Sequence, residues 1–195
     1  MYTINCSVEG VAPLLQHKYP LPDFADMGKG GKQRTGEKDY SQEWREYLYV
    51  TSGGEVYQPA IHFDGAMVKA ASGYKIQGAR GKTYKDLFKG NVFCSPDEIL
   101  HGIKAPDILD NDGDKVLYLD IRPAVVQRAR IARIRPAFKP GWKLEFEITV
   151  LDDQIPHNVV NEVLILAGRT AGIGDFRPKF GRFMVTKFEV SRNGN

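Results

Sequence analysis

The stretch 142–190 constrains the fold of this chain more than any other part of it. Alternation of apolar with polar side chains predicts a half-buried strand at its start, with apolar positions Trp142, Leu144, Phe146, Ile148 and Val150. An amphipathic helix follows, with Pro156 in its first turn and Gly172 at its end. A last strand is predicted over 182–190. Strand, helix, glycine-rich loop and strand are half of a ferredoxin-like unit, a four-stranded antiparallel sheet with two helices on one face.

The rest of the chain supplies further elements for such a unit. Alternation over residues 2–9 predicts a half-buried strand with Cys6 on its apolar side. Residues 62–73 are predicted to form a short helix ended by Gly73. Further strands are predicted, the first two joined by a hairpin turn, at 47–50, 55–60, 115–123 and 125–136. We therefore predict an α+β, ferredoxin-like (RRM-type) fold, with an antiparallel sheet, helices on one face and loop insertions.

The chain is expected to be a single domain over residues 1–195, a length that single domains commonly reach. A mobile insertion is expected near 25–42, because 28–39 holds four glycines and no apolar residue. A variable region is expected near 74–114. No apolar run approaches the roughly 18 residues of a membrane span, and the first residues lack the pattern of a signal peptide. We expect a cytoplasmic protein of a prokaryotic or phage-infected cell, with no membrane partner.

Two patterns that resemble ligand-binding motifs lack a required residue. The GKT triplet at 81–83 would need a glycine five positions before Gly81, where the chain has Ile76. The acidic turn 107–115 lacks the glutamate that closes a calcium loop, since residue 121 is isoleucine. The two cysteines form neither a disulfide framework nor a metal cluster. We expect no cofactor and no metal site.

The charge of the chain is strongly segregated. The net charge is only +3, yet segments 69–89, 122–143 and 169–187 together carry +16 and the remaining residues −13. Basic segments that lie far apart in sequence are typical of a chain that assembles one cationic surface for a polyanion. The alternative is three separately solvated faces.

Arginines are most frequent in the stretch 125–136. In a strand, Arg128 and Arg130 project to one face and Arg133 and Arg135 to the other, an arrangement that is hard to bury. Guanidinium groups suit phosphates, so this stretch and segment 69–89 supply candidate nucleic-acid contacts: Lys69, Arg80, Lys82, Arg128, Arg130 and Arg133. The alternative is an edge strand that is protected from aggregation by its charge.

The glycine-rich loop near the C-terminus supplies the remaining candidates. Gly172 and Gly174 would let backbone N–H groups approach a phosphate closely. Charge and stacking faces would come from the residues that follow, namely Arg177, Lys179 and Arg182 with Phe176 and Phe180. The alternative for the two phenylalanines is a place in the core.

Two stretches resemble the RAMP superfamily of CRISPR systems, whose members are built on ferredoxin-like, RRM-type domains and bind or cleave RNA. AGIGDFRPKFGRF (171–183) is similar to the family's loop of small residues, a basic spacer and a second glycine. VYQPAIHFDGAMVKAA (56–71) is similar to the backbone-subunit pattern of a strand, a proline and a short helix. The family's Gly-Ser-Ser-Leu-Lys-Gly is replaced here by AIHFDG, so Lys69 is only a loose substitute for its lysine. Uncharacterised phage and mobile-element proteins resemble the chain in PLL and RPKFGRF.

Three functions remain open on this basis. The leading hypothesis is a non-enzymatic protein that binds the phosphate backbone of single-stranded RNA or DNA and assembles with copies of itself along the strand, as RAMP backbone subunits do. The second is a metal-independent endoribonuclease of the same superfamily, in which His17 deprotonates the ribose 2′-hydroxyl and nearby Lys and Arg stabilise the transition state. The third is a structural phage protein whose basic face binds an acidic partner. No motif distinguishes RNA from DNA, because the 2′-hydroxyl is read by individual contacts.

Overall fold

The computed structural model describes residues 1–19, 40–111, 115–126 and 129–191. Over these ranges the fold is α+β, with antiparallel sheets and a few helices. The segment 28–39 and Arg128, on which two of the predictions rest, lie outside the described residues.

The largest sheet has four strands in the order β4-β8-β1-β9, namely β4 (Val92–Ser95), β8 (Lys143–Val150), β1 (Tyr2–Gly10) and β9 (Phe183–Ser191). All neighbouring strands are antiparallel. In the centre of the sheet, Cys6 lies opposite Phe146 on one side and Phe188 on the other. Because side chains alternate along a strand, the buried residues of β1 and β8 share one face, which we call the helix face. The opposite, largely polar face is called the open face.

Two helices, α2 (Ile61–Ala71) and α4 (His157–Leu166), pack against the helix face. The ring of Phe63 on α2 lies 4.3 Å from that of Phe146 and 5.4 Å from that of Phe183. Helix α4 turns Val160, Val163 and Leu164 into the same core. A five-residue π-helical turn, Ala167–Ala171, extends α4 and ends at Gly172.

The remaining elements form two smaller sheets and two short helices. A three-stranded sheet has the order β2-β7-β6, from β2 (Leu14–Leu15), β6 (Leu117–Val126) and β7 (Ala129–Phe138). Strands β3 (Glu55–Pro59) and β5 (Glu98–Lys104) pair with each other. The short helices are α1 (Tyr40–Tyr47) and α3 (Lys85–Asn91). None of the described helices is long and apolar enough to span a membrane.

The predicted strand 47–50 is wrong in its first half, whereas the predicted hairpin turn after it is confirmed, with the Thr51 N–H donating to the carbonyl oxygen of Glu55 at 2.9 Å and the Tyr57 N–H donating to that of Tyr49 at 3.0 Å. Helix α1 ends at Tyr47, and in this stretch Val50 alone forms an antiparallel bridge, to Val56. Trp44, Tyr47 and Leu48 are all buried and follow the three- and four-residue spacing of a helix. Aromatic and β-branched residues are typical of strands, so the composition of YLYV favoured a strand over the helical spacing.

The predicted strand 125–136 begins too early. Val125 and Val126 end β6, and β7 begins at Ala129, where it pairs with Val126. Apolar and basic residues continue without a break over 125–136 in the sequence, so the pattern does not mark where one strand ends and the next begins. Five elements had no predicted counterpart: β2, α1, α3, β4 and β5. Three of these lie in the region 74–114 that was expected to be variable.

Candidate functional site

The C-terminal loop 172–182 is fastened at its base to the segment that follows β1. The N–H of Asp175 donates to the carbonyl oxygen of Leu15 at 2.8 Å, and that of Gly181 donates to Pro13 at 2.8 Å. Within the loop, the N–H of Ile173 donates to Gly181 at 2.9 Å, and the N–H of Gly172 closes the π-helical turn at Ala167. The base of the loop is therefore part of the folded scaffold.

The glycines of this loop serve its own packing. Gly174 and Gly181 have φ angles of 73° and 69°, which disfavour other residues. A Cβ atom at Gly174 would overlap the carbonyl oxygen of Leu15, and one at Gly181 would overlap that of Ile173. The expected approach of the Gly172 N–H to a phosphate is not retained, because that group already donates to Ala167.

The two phenylalanines of the loop lie in different environments. Phe180 is 3% exposed and packs against Leu15, Ala137 and Tyr118, with the guanidinium carbon of Arg122 4.4 Å from its ring centroid. Its ring is therefore covered by the chain itself and offers no free stacking face. Phe176 is 47% exposed and contacts the Phe180 ring edge to face, at 5.7 Å. Of the two predicted stacking residues, only Phe176 presents its ring to solvent.

A buried ion pair supports Phe176 from below. Arg135 of β7 is 7% exposed, and its Nε lies 2.5 Å from Oδ2 of Asp175. Its guanidinium carbon lies 5.6 Å from the ring centroid of Phe176, at a distance typical of a cation–π contact. The expectation that Arg135 would be hard to bury is corrected here, because Asp175 supplies the charge partner that burial demands.

The residues 176–179, which we call the loop tip, project away from this support. All four side chains are exposed, and the tip carries the predicted phosphate contacts Arg177 and Lys179. Neither of these two forms an ion pair within the described part of the chain. The tip thus combines one aromatic face with two unneutralised cations on a rigid base.

His17 lies beside this loop. Its imidazole stacks on the ring of Tyr47, with centroids 4.3 Å apart. Burial lowers its pKa, while Asp175 acts in the opposite direction and Arg135 and Arg133 lower the pKa further. Its Nδ1 is buried without a hydrogen-bond partner among the described residues. The lowered pKa favours the neutral imidazole of His17, which lies near Arg133 and Arg135.

A second histidine, His62, approaches the loop from the first turn of α2. Burial, and secondly the charge of Arg177, lower its pKa to about 4. Gln58 holds the ring through His62 Nδ1, and Gln58 itself accepts a 3.2 Å hydrogen bond from Nε2 of Gln16. Sequence reasoning did not select His62, because its neighbour Arg177 lies more than a hundred residues further along the chain. Its position in the first turn of a helix, directly after a strand, was the one available signal.

The other predicted residues lie elsewhere. Lys69 is in the last turn of α2, and Arg80 and Lys82 follow in the loop beyond it, all three exposed. The influence of Arg177 on His62 puts the loop tip near the opposite end of α2, and a helix of eleven residues is about 16 Å long. Arg182 faces a different groove, which it lines together with Arg169. The structure therefore does not unite all predicted contacts in one surface.

Arg133 lies closer to the loop. It is half-buried on β7 and close enough to lower the pKa of His17. Arg130 belongs to the same strand. The β6–β7 hairpin thus extends the basic character of the loop tip along a second element.

The open face of the four-stranded sheet is not basic. Its exposed or half-buried charged residues are Glu9, Glu145, Glu147 and Glu189 against Lys143 and Lys187. Both lysines already pair with acids on this face: Lys143 with Glu9 at 3.5 Å, and Lys187 with Glu189 at 3.1 Å. A net negative surface disfavours a phosphate backbone, so the open face is a poor candidate for the interface.

The chain is thus an α+β protein with a basic and aromatic loop that is hydrogen-bonded at its base and lies beside two half-buried histidines, His17 and His62. Within the described residues, no three His, Cys, Asp or Glu side chains gather as a metal site requires. No protein-family model and no curated protein matches the chain.

Among solved structures, the fold is similar to a chain in the cryo-EM structure of the Type III-B Cmr-beta bound to cognate target RNA. The TM-score is 0.58 at 11% sequence identity, and the match covers 98% of this chain and 61% of that chain. This chain thus corresponds to somewhat less than two thirds of its neighbour's length. At this identity the likeness concerns the fold alone.

Proposed function

We propose that this chain is a RAMP-like protein that binds single-stranded nucleic acid through the loop tip and the arginines of the β6–β7 hairpin. The fold supports the first part. Elements β1, α2, β4, β8, α4 and β9 follow the order strand-helix-strand-strand-helix-strand of a ferredoxin-like unit, with both helices on one face. The resemblance of the stretch 171–183 to the RAMP loop, and the likeness to the Cmr-beta chain, support the same assignment.

The observation that carries the binding proposal is the loop tip itself. Phe176 offers a stacking face, and Arg177 and Lys179 flank it as cations with no ion-pair partner in the described chain. Aromatic stacking and phosphate neutralisation are the two contributions that proteins use on single strands. The ion pair of Arg135 with Asp175 holds this arrangement in place before the ligand arrives, which lowers the entropic cost of binding.

The path of the strand follows from the positions of the other cations. From the loop tip it would run along Arg133 and Arg130 of β7. Arg128, which lies outside the described residues, stays a candidate contact predicted from the sequence. Lys69, Arg80 and Lys82 would meet a longer strand, or one bound by an adjacent copy of the chain. RNA is the first ligand to test, because the structural neighbour is a chain of an assembly with target RNA bound.

Replacing Arg177 and Lys179 together by alanine tests the proposal. Binding of a labelled 20-nucleotide single strand, RNA or DNA, is measured by fluorescence anisotropy over a salt series. We expect weaker binding for all sequences and a slope of log affinity against log salt that is smaller by roughly 1.4, from about 0.7 for each phosphate that is no longer neutralised. The melting temperature should change little, since substitutions of exposed side chains usually change stability within about 0.5 kcal/mol.

The matched control removes two lysines from the open face, Lys143→Ala with Lys187→Ala. It should leave both affinity and slope unchanged. An equal loss in both double variants would mean that net charge alone drives binding. An unchanged slope combined with a large drop in melting temperature would make the loop a structural brace. Light scattering of the complex on 20- and 60-nucleotide strands then tests assembly of several copies along a strand.

The arrangement around His17 favours a second candidate, a metal-independent endoribonuclease. A neutral imidazole can accept the proton of the ribose 2′-hydroxyl, whose oxygen then attacks the phosphorus while the 5′-oxygen leaves and takes a proton from water. Arg133, whose charge acts on His17, would stabilise the charge that develops on the phosphoryl oxygens. His62, with a pKa of about 4, is unsuited to act as the protonated acid at neutral pH.

Incubating 5′-labelled RNA with the protein in EDTA tests this candidate. Cleavage would produce a 2′,3′-cyclic phosphate and a 5′-hydroxyl, and an oligonucleotide with a 2′-deoxyribose at the cleavage position should resist. His17→Ala should abolish cleavage and leave binding intact. Intact RNA after prolonged incubation with wild-type protein that binds it would eliminate the enzyme and leave the binding protein.

A further inference from the structure

Strand β9 forms an outer edge of the four-stranded sheet. It pairs along one side with β1, and no strand in the described ranges pairs with its other side. The N–H and C=O groups on that side therefore face outward, ready to pair with an added strand. Nine residues, Phe183–Ser191, are long enough to hold a peptide in register.

An apolar groove accompanies the first half of this edge. It lies between β9 and the end of α4, has a volume of about 540 Å³ and falls within the usual size range of binding clefts, roughly 300–1,000 Å³. Aliphatic and aromatic side chains form most of its wall, namely Val11, Ile165, Phe183, Met184 and Val185. Val11 and Met184 are 51% and 50% exposed, so apolar surface remains open to solvent here.

Two arginines and Thr170 complete the lining of the groove. Arg169 comes from the π-helical turn and Arg182 from the residue before β9. Both are exposed, and neither forms an ion pair within the described part of the chain. The groove thus combines an apolar floor with uncompensated positive charge, and it adjoins an open strand edge.

We propose that this groove and the edge of β9 bind an extended acidic peptide of a partner protein by strand addition. The peptide backbone would pair with β9, one of its apolar side chains would enter the groove, and neighbouring carboxylates would meet Arg169 and Arg182. The charge of the two arginines selects an acidic partner. The mainly aliphatic wall favours a protein side chain over a nucleobase, which binds best on aromatic rings.

This inference does not rest on the nucleic-acid proposal. Arg169 lies outside the loop tip and the β6–β7 hairpin, so a variant at this position tests the groove alone. Arg182 was predicted as a phosphate contact and is left unchanged in the test.

Two labelled ten-residue probes measure the interaction by fluorescence anisotropy, one of alternating Glu and Val and one of alternating Lys and Val. The wild-type protein should bind the Glu-Val peptide and not the Lys-Val peptide. Arg169→Glu should weaken Glu-Val binding at least tenfold and create binding of the Lys-Val peptide. Lys89→Glu, an equal charge reversal at an exposed position of α3, which leads into the opposite edge strand β4, is the matched control and should change neither. N-methylation of alternate amides of the Glu-Val peptide should abolish binding, because strand pairing needs those N–H groups.

Several results would overturn the proposal. These are an absence of Glu-Val binding, equal binding of both peptides, insensitivity to Arg169→Glu, or insensitivity to N-methylation. Light scattering that finds a dimer dissociated by Met184→Lys would assign the groove to a second copy of the chain. Loss of single-stranded RNA binding in Arg169→Glu, as large as in the loop-tip double variant, would assign it to nucleic acid. Melting curves of each variant establish that it is folded, and Ile165→Lys provides a second groove variant if Arg169→Glu is not.

Discussion

At the scale of single residues, the two phenylalanines of the loop differ in exposure: Phe176 is exposed to solvent and Phe180 is buried. They are four positions apart in the sequence, and each is followed within two positions by an arginine. Their ring centroids lie 5.7 Å apart. The backbone turns at Phe176, where φ is 57°. The Phe176 ring faces solvent, while the Phe180 ring packs against Leu15 of β2 and Ala137 of β7. Two residues that look equivalent in sequence therefore differ in what their removal should cost.

We expect Phe176→Ala to weaken single-strand binding by about 1–3 kcal/mol and to leave stability almost unchanged, since it removes a stacking face. Phe180→Ala should instead lower the free energy of unfolding by about 3–5 kcal/mol, as for a buried aromatic ring. Anisotropy and urea denaturation on both variants measure the two effects. Similar losses of stability in both variants would contradict this division.

Removal of Asp175 distinguishes an effect of net charge from an effect of structural support, because the two predict opposite changes in nucleic-acid affinity. Removing a carboxylate from a basic surface should tighten binding of a polyanion if only net charge mattered. Because Asp175 holds the buried Arg135, we expect Asp175→Ala to weaken binding and to destabilise the fold by roughly 1–3 kcal/mol. Asp97→Ala removes an exposed acid and is the control in the same assays. Tighter binding by Asp175→Ala would refute the supporting role.

His62 makes stability depend on pH. Its folded pKa of about 4 lies below the ordinary value of 6.5, so the unfolded chain binds the proton first as pH falls. The contribution of His62 is complete above pH 6.5 and decreases by about 1.4 kcal/mol per pH unit towards pH 4. His62→Asn keeps an acceptor for Gln58 and should flatten this dependence. Urea unfolding between pH 7.5 and 4.5 measures it, and parallel curves for the two proteins would exclude the effect.

At the scale of elements, the loop 172–182 joins the π-helical turn to β9 and seals the segment that follows β1. Gly174 lets the loop approach the backbone at Leu15, and Gly181 lets the two ends of the loop approach each other at Ile173. The need for glycine therefore depends on the neighbouring backbone as well as on the φ angle. Two glycines with the same backbone conformation should therefore respond differently to the same substitution.

We expect Gly181→Ala to destabilise the fold by roughly 1–3 kcal/mol more than Gly78→Ala. Both have positive φ, 69° and 79°, so both variants share the conformational cost of a side chain there. Only at Gly181 does the added Cβ overlap backbone atoms, whereas the space around Gly78 is open. Chemical denaturation of the two variants provides the comparison. Equal losses would mean that the loop shifts to accommodate the methyl group.

At the scale of the whole molecule, the segregated positive charge is distributed over more than one surface. Lys69 lies in the last turn of α2, and Arg80 and Lys82 lie in the loop that follows it, whereas the loop tip and the β6–β7 hairpin carry the other candidate cations. We expect these two sets of cations to act as separate basic areas. The open face between the edges of the large sheet carries net negative charge. A short strand can therefore reach one basic area, while a long one can reach both.

Strand length should accordingly separate the two areas. With a six-nucleotide probe, Arg177→Ala with Lys179→Ala should weaken binding, and Arg80→Ala with Lys82→Ala should have no effect. With a 30-nucleotide probe, both double variants should weaken binding and each should reduce the salt slope. Anisotropy titrations with the four combinations measure this. Equal effects of Arg80→Ala with Lys82→Ala on both probes would contradict two separate areas.

The sequence by itself determined the elements whose apolar residues repeat regularly. Strands β1 and β8 and helices α2 and α4 were predicted because burial on one face imposes a period of two or 3.6 on the chain. Helix α1 was missed because its period is hidden in an aromatic stretch, and the start of β7 was misplaced because basic and apolar residues continue without a break over 125–136. The basic, aromatic composition of the loop tip was also visible in advance.

The tertiary structure alone decided which of these side chains face solvent and which meet. Arg135 is buried because Asp175, forty residues away, pairs with it, and Phe180 is covered because β2 and β7 converge on the loop. His62 became part of the site only through the position of Arg177. The periodicity within a helix or strand shows which of its faces is buried. Charge pairing and ring burial depend on segments that lie far apart in sequence and come together only on folding. The pattern within one segment does not show which other segment it will meet.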